Sequence, residues 1–93
     1  MASHWIDELR VSAGAEDKLW GHAVDVSEVL EVLWGAPRFF RSQAEDRLRM
    51  IGPTSGGRLL TVVIEATDLA GVWDVVTGWQ SSKGEGSAWR NAK

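Results

Sequence analysis

The chain has 93 residues and a formal net charge of −3, enough for one domain with a modest core spanning 1–93. It has no cysteine, which excludes disulfides and thiolate metal sites. No apolar run approaches the roughly 20 residues that a membrane-spanning helix needs, and no basic, apolar leader opens the chain, so a cytoplasmic location is expected.

The charge is unevenly spread. Residues 1–37 carry seven acids and two bases, residues 38–58 five arginines and two acids, and residues 59–93 four acids and three bases. An acidic total argues against nucleic-acid binding. A central arginine cluster argues the other way, for an anionic ligand on one face. A solvated strand face explains it equally well.

In chain order, Trp5–Val11 alternates as a strand does, and Ser12-Ala13-Gly14 breaks it. Glu16–His22 reads as a short helix with Leu19 as its core contact. Asp25-Val26-Ser27-Glu28 is a capping box, followed by Val26, Val29, Leu30 and Leu33 at helical spacing. Gly35 and Pro37 end that helix near Trp34, the glycine acting as a C′ stop. The stripe that begins at Val26 predicts that Leu30 and Leu33 face the sheet. Arg38–Ser42 reads as an edge strand with Phe39 or Phe40 inward, and Gln43–Asp46 as a polar turn.

The most informative stretch is Arg47–Glu65. Leu48 and Met50 alternate with Arg47 and Arg49. Gly52-Pro53-Thr54-Ser55-Gly56-Gly57 is a loop of turn formers, and Leu59–Ile64 carries β-branched residues on both faces, as a central strand covered on both sides does. After a turn at Thr67–Gly71, Val72–Trp79 is the last strand. Ser82-Lys83-Gly84-Glu85 is a second capping box, opening a helix to about Asn91. The order is β-α-α-β-β-β-β-α. It predicts an α+β fold: an antiparallel sheet of four to five strands, with two N-terminal helices and one C-terminal helix packed on it.

These pieces resemble a known family in their order. Gly21-His22-Ala23-Val24, followed by the capped helix, resembles the Lys-His-Gly-Val segment of the BrnT ribonuclease toxins. Arg49-Met50-Ile51-Gly52 and Gly56-Gly57-Arg58-Leu59-Leu60-Thr61-Val62-Val63 resemble their central hairpin. Val76-Thr77-Gly78-Trp79 falls where the family has Ile-Ser-Ala-Arg, Lys83 and Glu85 match its Lys-x-Glu helix, and Trp89 stands where a tyrosine is usual. The resemblance implies the toxin component of a type II toxin–antitoxin pair, bacterial, with a RelE-like fold. It implies a metal-independent endoribonuclease with no cofactor, whose partner is a DNA-binding antitoxin of ribbon-helix-helix type. A homodimer is compatible with it. Gly21, Ala23 and Trp79 depart from the family's lysine, glycine and arginine. Gly86-Ser87 likewise stands where the family's last helix starts rich in arginine, and losing these cations predicts a weakened activity. The alternative is a non-catalytic interaction domain of the same fold, binding an antitoxin-like partner or RNA.

Cleaving RNA without metal needs a proton acceptor for the 2′-OH, a cation beside the phosphate and a proton for the leaving oxygen. The catalytic candidates are His22, Arg49, Arg58, Lys83 and Glu85; the RNA-binding candidates are Arg47, Trp79, Trp89 and Arg90. Each has a plainer reading. His22 suits a helix C-terminus, Glu85 completes a capping box, and the tryptophans pack a core or meet an antitoxin. His4, near the terminus, is set aside. No P-loop, nucleophile triad or His/Asp/Glu metal spacing is present.

Overall fold

The computed structural model describes residues 6–35, 37–42 and 46–92. Its elements are β1 (Glu8–Arg10), α1 (Ala13–Gly21), α2 (Val26–Trp34), β2 (Arg38–Arg41), β3 (Arg47–Pro53), β4 (Leu59–Ala66), β5 (Val72–Gln80) and α3 (Lys83–Asn91). The order β-α-α-β-β-β-β-α and the α+β class are those read from the sequence. His4 and Trp5, and residues 43–45 of the polar turn, lie outside the described residues.

The five strands form one sheet in the order β1-β5-β4-β3-β2. The four consecutive strands β2 to β5 pair antiparallel, as chains joined by short turns must. β1 differs. It is joined to β2 through both helices rather than a hairpin, and it pairs parallel to β5, Glu8 opposite Val72 and Arg10 opposite Asp74. The sheet is therefore mixed rather than wholly antiparallel, and β1 is three residues long instead of seven.

Register assigns the two faces. Leu48, Met50 and Gly52 stand opposite Ile64, Val62 and Leu60, and these side chains join Leu19, Val24, Val29, Val32 and Val75 in one buried core under α1 and α2. Two glycines let the helices approach. A Cβ on Gly52 would lie 3.1 Å from Val32 Cγ1 and 3.0 Å from the backbone of Pro37. A Cβ on Gly78 would lie 3.1 Å from Leu19 Cδ2. Gly52 and Pro53 belong to β3 and not to the loop. The turn is Thr54–Arg58, closed by Thr54 N–H to Arg58 C=O (2.8 Å) and Gly57 N–H to Thr54 C=O (3.0 Å), with Gly57 at φ +93°.

Helix starts follow their caps. The Ser12 hydroxyl accepts from the Ala15 amide at 3.1 Å, so α1 begins at Ala13 where the sequence reading places only a strand break. The α2 box forms as read, with Asp25 accepting from the Ser27 amide and Glu28 from the Asp25 amide. Its sheet-facing side centres on Val29 and Val32, with Leu33 packed beside them. Leu30 is turned outward, contrary to its expected place on the sheet. Gly35 stops the helix, but at φ −88°, not as a left-handed C′ residue. No helix among the described residues is long and apolar enough to cross a membrane.

The second face of the sheet carries Arg47, Arg49, Ile51, Thr61 and Val63, with Thr77 and Trp79 beside them. α3 covers one end of this face, its Gly86 lying over Leu59, and Ile51 and Thr61 are buried there. The other end stays open.

Candidate functional site

The open end of the second face is a groove of about 420 Å³ lined by Arg41, Arg47, Arg49, Thr77 and Trp79, among others. No carboxylate is among the described residues that line it. Arg47 and Arg49 reach it because β3 alternates, which sends Leu48 and Met50 to the core and both arginines to the opposite side. Arg41 reaches it from the end of the edge strand β2. The sequence reading counted Arg41 in the arginine cluster without singling it out. Alternation puts it on the core side with Phe39, and only the edge position frees it to turn.

Two of these arginines have carboxylate neighbours. Arg47 Nε donates to Glu65 Oε2 at 3.0 Å across the hairpin, and Arg49 lies 3.6 Å from Glu85. Glu85 is the hub of the site. Its Oε1 accepts from the Trp79 indole N–H at 3.0 Å and from the Ser82 amide at 2.8 Å, so one carboxylate caps α3, fixes the ring and faces Arg49. Burial pushes its carboxyl up. The Ser82 amide, the Trp79 indole and the Thr61 and Ser82 hydroxyls outweigh that and hold it below the usual carboxylate range.

His22 joins the site from the other side. β1 covers β5 only at Val72–Asp74, which leaves the outer edge of β5 near Trp79 uncovered. α1 ends there in a Schellman motif: Val24 N–H donates to Leu19 C=O (2.9 Å), Ala23 N–H to Trp20 C=O (3.0 Å), and Ala23 takes the left-handed conformation at φ +58°. The motif sets His22, the exposed cap residue, with its ring centroid 6.2 Å from that of Trp79. His22, Trp79, Glu85 and Arg49 thus form a connected series.

The remaining candidates lie elsewhere. Arg58 donates to Glu28 Oε1 at 2.7 Å and to the Ala23 carbonyl at 2.7 Å, tying the His22 turn to the start of β4. Glu28 beside it is held below the usual carboxylate range by the Arg58 hydrogen bond and the Asp25 amide. Arg58 is not in the arginine groove. It lines a separate depression with Lys83 and Arg90 on the far side of the α3 start. Trp89 lies under the guanidinium of Arg38, 5.7 Å from its centroid, and Arg38 also donates to the Ala92 carbonyl. Arg90 reaches Ser87 at 3.3 Å.

The crystal structure of the ribonuclease toxin BrnT from Brucella abortus superposes with a TM-score of 0.65, covering 82% of this chain and 97% of that one. The chain has a BrnT-like fold. Sequence identity to that BrnT is 18%, so the likeness is one of architecture. No protein-family model and no curated protein matches the sequence.

Proposed function

We propose that the chain is a BrnT-like toxin of a bacterial toxin–antitoxin pair, acting in the cytoplasm as a metal-independent endoribonuclease of reduced activity. The observation that carries this reading is the groove that gathers Arg41, Arg47 and Arg49 around Trp79, next to His22. The fold it shares with a ribonuclease toxin supports it.

In this reading Arg47 and Arg49 hold the non-bridging oxygens of one phosphate, and a base stacks on Trp79. The 2′-oxygen attacks phosphorus as His22 takes its proton. The P–O5′ bond breaks, leaving a 2′,3′-cyclic phosphate, and the departing 5′-oxygen takes a proton from water. Glu85, held ionised by several donors, orients Trp79 and Arg49 and is not the base. Arg58 is a positioning residue acting through the His22 turn. Lys83, Arg90 and Trp89 play at most a part in binding flanking nucleotides. An antitoxin encoded beside the chain, ribbon-helix-helix in type, is the proposed partner.

Purified protein should cleave single-stranded RNA in EDTA and leave cyclic phosphate ends. His22→Ala and Arg49→Ala should each lower the rate by about 10²-fold. A second reading, a non-catalytic interaction domain, is favoured by the carboxylates already facing Arg47 and Arg49. Trp79→Arg separates the two. A weakened enzyme gains cleavage from the new cation, whereas a protein inert in both forms that still binds the neighbouring gene's product is an interaction domain.

A further inference from the structure

The helical layer turns an apolar ridge outward. Val26, Leu30 and Trp34 stand four residues apart on α2 and so lie one above another along it. Val29 and Val32 on the sheet side are fully buried, while the ridge rises from half-buried Val26 to Leu30 at 39% and Trp34 at 73% exposure. A lone exposed leucine needs no explanation. A continuous ridge ending in an exposed tryptophan differs, because tryptophan is among the residues enriched at binding hot spots.

The charge around the ridge selects its occupant. Within residues 13–34 the acids Glu16, Asp17, Asp25, Glu28 and Glu31 outnumber the one base, Lys18, and Arg58 from the hairpin neutralises only Glu28, so the layer stays acidic. α2 has no base in its own last turn to offset the negative end of its dipole at Trp34. Such a surface repels RNA and anionic lipid, and a second copy would bring two acidic layers together. An apolar stripe flanked by lysines or arginines satisfies both features at once, its apolar side chains on the ridge and a cation over Trp34 or the helix end.

We propose that the Val26–Leu30–Trp34 ridge docks a basic amphipathic helix of a partner protein. This deepens the partner half of the reading above and rests on it only for the partner's identity. The ridge lies on the helical side of the sheet, away from the arginine groove.

The test titrates the full chain, by calorimetry, with a synthetic amphipathic helical peptide of leucine and lysine and with its leucine–glutamate counterpart. The lysine peptide is expected to bind and the glutamate peptide not. Leu30→Ser and Trp34→Ser keep the charge, and each should weaken binding by about tenfold or more. Thermal melts by circular dichroism accompany both, and Leu30→Gln and Trp34→Gln replace any variant that melts out. Undiminished binding by the folded variants overturns the proposal, as does equal binding of the glutamate peptide. Self-association of the wild type that Trp34→Ser abolishes would make a second copy the occupant and overturn it too. RNA cleavage should be unchanged in Trp34→Ser. An inert wild type in the RNA assay that still binds the lysine peptide through the ridge defeats only the enzyme reading.

Discussion

Ala23 sits at φ +58°, a conformation in which a Cβ costs roughly 1–2 kcal/mol. Here alanine is held by its own amide bond to Trp20, by Val24 bonded to Leu19, and by Arg58 on its carbonyl. Ala23→Gly should therefore stabilise the protein, by about 0.5–1 kcal/mol after the glycine's extra chain entropy is set against the relieved contact. A higher urea midpoint at unchanged slope checks this, and a lower midpoint would contradict the left-handed assignment. Arg58 and Glu28 supply a second case. The guanidinium favours the charged carboxylate in the folded state, so Glu28 titrates below its ordinary value of 4.5. Its contribution is complete above that ordinary value and fades as pH falls through the depressed one. Glu28→Gln should cost about 1–2 kcal/mol at pH 7 for this partly exposed pair. The gap to wild type should narrow as the pH falls progressively below 4.5, as urea denaturation along a pH series would show.

Among the elements, α2 and β3 show how close packing constrains substitution. Val32 is fully buried and stands over Gly52, so Val32→Ala should cost about 2 kcal/mol. Leu30→Ala, on the exposed ridge, should cost under about 0.5 kcal/mol. Gly52→Ala would push a methyl to 3.0 Å from Pro37 and should destabilise by about 1–3 kcal/mol. Guanidinium melts of the three variants rank these effects, and equal losses at Val32 and Leu30 would refute the packing. The sequence made the α2 box and the hairpin strands legible, because caps and alternation act over a few residues. It placed Leu30 on the sheet-facing stripe and left Val32 out, the reverse of what the structure has, since both lie near the edge of the apolar arc and the position of the sheet decides between them. Gly52 reads as a turn former for a similar reason: what it accommodates lies 20 residues away in sequence, on α2. The arginine groove was legible as a cluster. The tie from Arg58 to Glu28 spans 30 residues and was not.

Across the whole molecule, acidic helices cover one side of the sheet and arginines line the open part of the other. β4 lies in the middle of the sheet, paired on both edges, and Leu60, Thr61, Val62 and Ile64 are fully buried. Amide exchange should be slowest at Leu60–Ile64, opening only with global unfolding. Fast exchange there would mean that the sheet opens locally at its centre. β1 is at the other extreme, with three ladder residues at a sheet edge, and should exchange early.

The parallel pairing of β1 with β5 also has a consequence in time. Arg10 meets Asp74 across 64 residues of chain. A ribosome adding about 5–20 residues per second needs roughly 3–13 s to make that stretch. For most of that interval the first strand and then the α1 turn bearing His22 are already synthesised, while the strand they pack against is still to come. The hairpin of β3 and β4 can close before β5 is made, but His22 and Trp79 meet only once β5 has been synthesised. A nascent chain therefore lacks the His22–Trp79 contact until β5 has emerged, which leaves any protein translated beside it several seconds in which to arrive first.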